Sequence, residues 1–105
     1  MQLDNEKIRN ERLYRVGYIP SLGKYVMACV VTGIAWYDIW FEISEEEYNS
    51  FGSESLDELA LKLFSQGTNS GRFLFSDMNK ENTKEQLQLR EKAVFGAAQL
   101  HHKKG

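Results

Sequence analysis

Cysteine and histidine are scarce in this 105-residue sequence. The single cysteine, Cys29, cannot form a disulfide within the chain, and its place in the apolar run 26–31 indicates a small buried thiol in a reducing compartment. The two histidines, His101 and His102, stand in residues 101–105, which we expect to form a disordered tail. A zinc site needs three or four ligands at recognisable spacing, so we expect no metal.

Long hydrophobic runs are also missing. The longest weakly polar stretch, residues 25–37, is too short for a membrane helix, and its β-branched and aromatic residues favour a sheet. The first twelve residues mix acidic and basic side chains without an apolar segment, so we expect no secretory signal. The resulting expectation is a cytoplasmic protein that does not bind a membrane.

Groups suited to catalysis are few. Asp38 and Glu42 share a face of a predicted strand, but four residues along a strand span roughly 13 Å, more than the carboxylate separation in glycosidases. Cys29 and His101 could act as nucleophile and base only if the fold joined them. The glycines form neither a P-loop nor a dinucleotide-binding fingerprint. We therefore expect neither an enzyme nor a cofactor.

Basic residues are absent from about a third of the chain. Residues 25–61 contain no Lys or Arg and carry a charge of −8, whereas the remainder carries +6. The acidic residues of this stretch are Asp38, Glu42, Glu45, Glu46, Glu47, Glu54, Asp57 and Glu58. A field of one sign attracts an oppositely charged partner and repels nucleic acid. The pattern predicts a protein partner with a basic surface and no nucleic acid.

The residues that are present predict one α+β domain over residues 1–105. A chain of this length with 42% hydrophobic residues can fold without metal or disulfide. Alternation predicts strands over residues 13–19, 24–32 and 34–43, and the aromatic segment 72–76 can form a fourth. We expect a three- to four-stranded antiparallel meander, preceded by an N-terminal arm over 1–11 whose order the sequence leaves open.

Capping patterns mark the helices. Ser44 followed by Glu47 predicts a helix start, and Ser55 with Glu58 repeats the pattern before a helix that ends at Gly67. Thr83 with Gln86 predicts a last helix to about residue 100. Its expected stripe is Leu87, Arg90, Val94 and Ala98. Two main helices are expected to pack against the sheet.

The third predicted strand places two tryptophans among acidic residues. One face, formed by Ala35, Tyr37, Ile39, Phe41 and Ile43, is apolar and suits a core. The opposite face carries Ile34, Trp36, Asp38, Trp40 and Glu42. Aromatic residues beside polar groups are typical of interface hot spots. Either this face contacts a partner or a helix covers it, and the sequence leaves both alternatives open.

Three glutamates follow this strand directly. Negative charge in the first turn of a helix is favoured by the helix dipole in any protein. Because the helix continues from the end of the strand, strand and helix can form one acidic, aromatic surface. The predicted partner-binding residues are Trp36, Asp38, Trp40, Glu42, Glu45 and Glu46.

Residues 38–48, with the sequence Asp-Ile-Trp-Phe-Glu-Ile-Ser-Glu-Glu-Glu-Tyr, form a strand that leads into an acidic capped helix. This run, about a tenth of the chain, resembles segments of bacterial immunity proteins from contact-dependent growth inhibition and other polymorphic toxin systems. The resemblance implies a small cytoplasmic protein that binds a cognate toxin domain, such as a nuclease with a basic cleft, and blocks its active site. The alternative is an adaptor or regulatory subunit of a cytoplasmic complex that uses the same surface.

Overall fold

Four strands, two helices, a fifth strand and a third helix follow one another in the computed structural model, which describes residues 1–102 and, for residues 96–102, only the backbone. The strands are β1 (Asp4–Arg9), β2 (Tyr14–Ile19), β3 (Lys24–Val31), β4 (Tyr37–Ile43) and β5 (Phe73–Ser76). The helices are α1 (Glu45–Asn49), α2 (Glu54–Gln66) and α3 (Lys84–His102). Short 3₁₀ turns occur at Asn10–Arg12, Gly67–Asn69 and Asn79–Glu81.

The strands pair antiparallel in chain order, so the sheet is a meander with the order β1-β2-β3-β4-β5. The α+β class, the meander and the single domain agree with the sequence-based prediction. The expected three to four strands and two main helices are corrected to five strands and three helices over the described residues. β4 also begins at Tyr37 rather than at residue 34.

Helices cover both faces of the sheet. The core under α1 and α2 contains Tyr14, Val16, Met27, Cys29, Ile39, Phe41, Ile43, Tyr48, Leu56, Ala60 and Leu63. The core under α3 contains Leu3, Ile19, Val26, Ala28, Trp40, Leu74, Phe75 and Ala93. Because each strand alternates between the two faces, both sets of strand side chains are removed from water. The molecule is a three-layer sandwich with the sheet in the middle.

The N-terminal arm is an edge strand. β1 pairs with β2, with a bulge between Asp4 and Lys7 in which Asn5 takes a φ of 51°. Leu3 is buried against Gly17 of β2, where a Cβ would lie 2.4 Å from the Cβ of Leu3. Gly17 therefore allows the arm to approach the sheet closely.

The helix starts mostly follow the capping patterns. Ser44 and Glu47 form a complete capping box, and Thr83 and Gln86 exchange reciprocal hydrogen bonds. The cap of α2 is Ser53 rather than Ser55, because the Ser53 hydroxyl accepts from the backbone of Leu56. α3 continues to His102, so the expected disordered tail begins within the helix; residues 103–105 lie outside the described residues. Within the described part, no helix is long and apolar enough to cross a membrane.

Candidate partner-binding surface

Asp38 is held by an internal ion pair. Arg15 of β2 lies beside Ala28 of β3, which in turn lies beside Trp40 of β4. Because the alanine side chain is small, the guanidinium reaches across it to donate to Asp38 at 2.9 Å. On the other side of β2 it also donates to Glu6 of β1, at 3.0 Å. The same guanidinium lies 5.0 Å from the centre of the Trp40 ring. Asp38 therefore connects β4 to β2 and is only 18% exposed.

Trp40 is fully buried beneath α3. Its ring packs on Phe75 with 5.8 Å between ring centres, and its indole Nε1 donates to Asp77 at 3.0 Å. Trp40 does lie on the strand face opposite Ile39 and Phe41, as the alternation predicts. Of the two alternatives that the sequence leaves open for this face, cover by a helix applies here, because α3 supplies Ala93 and Leu89 to pack on it. The core alternative holds for Trp40.

Glu42 and Trp36 are exposed at opposite ends of β4. Glu42 forms an ion pair with Lys24 at 3.0 Å. Trp36 precedes the strand in the β3–β4 connection and is 66% exposed. Glu42 is six positions after Trp36, which corresponds to roughly 20 Å along a strand. The six predicted binding residues therefore do not form one continuous surface.

Of the eight acids in residues 25–61, four are paired with basic side chains from outside that stretch. The pairs are Asp38 with Arg15, Glu42 with Lys24, Glu47 with Arg72, and Asp57 with Arg9. The Arg72 guanidinium donates to both carboxylate oxygens of Glu47, at 2.7 and 3.0 Å, and lowers the pKa of that carboxyl. Half of the negative charge counted in the sequence is thus compensated within the fold.

The other four acids lie on α1 and α2. Glu45, Glu46, Glu54 and Glu58 are exposed, and none has an ion-pair partner among the side chains that the structure describes. Three of them occupy the first turn of a helix, where the dipole stabilises negative charge. Glu58 lies beyond the first turn of α2. We call these four residues the helical acidic surface.

Asp57 is the acidic residue of α2 that faces inward. It accepts from Arg9 at 3.0 and 3.2 Å and from the Tyr14 hydroxyl at 2.6 Å, and Arg12 lies 3.6 Å away. Hydrogen bonds from Arg9 and Tyr14 lower the pKa of Asp57. Burial, and then the bond to Asp57, raise the pKa of Tyr14. This cluster ties α2 to β1 and β2.

Cys29 is buried in the core under α2, and burial raises the pKa of its thiol to about 12. The thiol therefore stays protonated at neutral pH and is not an activated nucleophile. Among the residues whose side chains are described, no group of three His, Cys, Asp or Glu is placed to hold a metal ion. The side chain of His101 lies outside that set.

Comparison with protein-family models, curated proteins and solved structures finds no match for this chain. The helical acidic surface is therefore described from this structure alone. The sequence predicts Glu45 and Glu46 as partner-binding residues, but it predicts Glu54 and Glu58 only as members of the acidic stretch 25–61. The signal that could have found them is their spacing of four residues, which places both on one face of a helix.

Proposed function

We propose that this chain is an immunity protein: a cytoplasmic inhibitor that binds the basic surface of a cognate toxin domain and covers its active site. The single observation that carries the proposal is the helical acidic surface. Four exposed carboxylates without an ion-pair partner in the described part of the chain leave a negative field on one layer of the molecule. A field of this kind accelerates association with a basic partner.

The distribution of charge supports this proposal. The acids that stabilise the fold, such as Asp38 and Asp57, are paired with arginines and are largely removed from solvent. The unpaired ones face solvent on α1 and α2, which lie on the same side of the sheet. Separate sets of acids can therefore serve stability and binding. Trp36 remains exposed outside this surface, and the charge of Glu42 is balanced by Lys24.

The proposal is tested by rescue. The proposal expects a neighbouring reading frame to encode a toxin domain. The chain is co-expressed with that domain, and cell survival is compared for wild type and for a variant with Glu45, Glu46, Glu54 and Glu58 changed to Gln. The proposal expects the wild type to protect and the variant to protect poorly at equal protein level. The matched control is Glu85→Gln with Glu91→Gln, two exposed acids of α3.

Protection by neither protein would contradict the proposal. Capture of a metabolic enzyme in place of a toxin, in a pull-down from the native host, would indicate an adaptor instead. Equal protection by the wild type and the Gln variant would retain an inhibitor but remove this surface from its mechanism.

A further inference from the structure

A cavity of about 170 Å³ opens between α2 and the β2–β3 pair. Its apolar lining consists of Leu13, Cys29, Val30, Ala60, Leu61 and Phe64. The two charged groups that also line it, Arg12 and Asp57, form an ion pair with one another at 3.6 Å. The lining is therefore mainly apolar, and its two charged groups belong to a cluster of two arginines and two acids, with Arg9 and Glu11, whose charges balance.

The side chains around this cavity are unusually exposed for their type. Leu61 is 64% exposed, Phe64 45% and Leu13 43%. Leu13 also has a φ of 58°, in the left-handed region that residues with a Cβ rarely adopt. Exposed apolar side chains that surround a cavity are a feature of protein interaction sites.

We propose that this cavity receives one apolar side chain, of the size of Leu or Phe, from the basic protein partner. The inference rests on the proposed function and names the part of the partner that anchors it. The volume fits, because an apolar cavity of about 150 Å³ accommodates one benzene ring. The occupant is uncharged because the cavity offers no unbalanced charge.

The acidic residues of α2 next to the cavity indicate the charge of the partner segment. Glu54, Glu58 and Leu61 are spaced by four and three residues, so they lie along one face of the helix. The acidic surface therefore continues into the apolar rim without a break. A segment that places its apolar residue in the cavity brings neighbouring Lys or Arg residues next to Glu58. The partner segment is an apolar residue flanked by basic ones.

The first experiment tests whether the cavity binds. Free indole is titrated into the full chain while amide resonances are followed by NMR. Saturable shifts are expected at Leu13, Ala60, Leu61 and Phe64, and the combined variant Leu61→Gln with Phe64→Gln should weaken indole at least tenfold. Val94→Gln with Phe95→Gln, two exposed apolar residues of α3, is the matched control and should bind indole as the wild type does. Scattered or unsaturable shifts would overturn the proposal.

The second experiment identifies the occupant. An acetylated Lys-Lys-Phe-Lys-Lys amide should displace indole, and the same peptide with Ser for Phe should not. If neither peptide displaces indole, the cavity is a site for small molecules. If raising the protein concentration alone produces the same shifts, the occupant is a second copy of the chain. Either result overturns the proposal. Leu13→Gly, which relieves the left-handed backbone but removes a lining side chain, should keep the fold and weaken the Phe peptide.

A wrong assignment of the anchor cavity can be distinguished from a wrong proposed function. If the partner binds Leu61→Gln with Phe64→Gln as tightly as wild type, while the Gln variant of the four surface glutamates binds weakly, only the anchor cavity is wrong. If both variants bind as tightly as wild type, the proposed binding surface is wrong as well.

Discussion

Arg15 reaches across Ala28 and donates to Asp38 at 2.9 Å, so three neighbouring strands are connected by one guanidinium. This contact changes the role of Asp38. The sequence places it on a strand face with Trp40 and Glu42, which predicts a contact for a partner. In the folded chain its carboxylate is an internal acceptor.

We predict that Asp38→Ala and Glu42→Ala differ in stability. Removing Asp38 leaves Arg15 partly unpaired near a buried tryptophan and should lower the free energy of unfolding by about 1–3 kcal/mol. Removing Glu42 breaks an exposed ion pair and should change it by less than about 0.5 kcal/mol. Urea unfolding of the two variants measures both values. Equal stabilities would contradict the internal role of Asp38.

Tryptophan fluorescence separates the two indoles. In Trp36→Phe the remaining Trp40 should emit at short wavelength and resist quenching by acrylamide, because it is fully buried. In Trp40→Phe the remaining Trp36, which is 66% exposed, should be quenched efficiently. Efficient quenching in Trp36→Phe would mean that α3 does not cover the sheet in solution.

Asp57 makes stability depend on acid pH. Its pKa is lowered in the folded state by hydrogen bonds from Arg9 and Tyr14, so its contribution is fully present above the unfolded pKa of about 4. That contribution is lost as the pH falls through the lower, folded pKa. Asp57→Asn should therefore melt at a lower temperature than wild type at pH 7, with a smaller difference at acid pH. A difference that is constant with pH would contradict this linkage.

Gly17→Ala tests the packing of the N-terminal strand. The added methyl group would collide with Leu3, so the arm must shift and stability should fall by about 1–3 kcal/mol. Gly71→Ala is the control, since no atom lies within 4 Å of the place that its methyl group would take, and it should change stability by less than about 0.5 kcal/mol. Equal effects, measured by thermal melting, would show that the close approach of Leu3 is not needed.

The central strands and two of the three helix starts were predictable because their signals are local. Alternation identifies β2 to β4, and the capping box at Ser44 fixes the start of α1. β1 could not be predicted, because it carries mostly charged residues and its pairing with β2 contains a bulge. It therefore lacks the alternation of apolar residues that marks a strand, and ion pairs such as that of Arg15 with Glu6 help to hold it in place.

The cover of the second sheet face could not be predicted. α3 has apolar residues on more than one side, and the stripe chosen from the sequence includes Val94, which is exposed, whereas Ala93 and Leu89 pack on the sheet. Burial of Trp40 depends on which side of α3 packs on the sheet, and that is decided by tertiary contacts rather than by a local sequence pattern. The helical acidic surface could be predicted only in part. Which acids stay unpaired depends on arginines distant in the sequence, such as Arg72, which pairs with Glu47, and Arg9, which pairs with Asp57.

The most direct test of the central claim is the association rate of the captured partner, measured by stopped flow at low and moderate ionic strength. For the wild type the rate constant should fall by about tenfold or more as salt rises. The variant with Gln at residues 45, 46, 54 and 58 should associate slowly at both salt concentrations, whereas the control Glu85→Gln with Glu91→Gln should behave as wild type. A wild-type rate that does not change with salt, or a Gln variant that associates as fast as wild type, would contradict binding through the helical acidic surface.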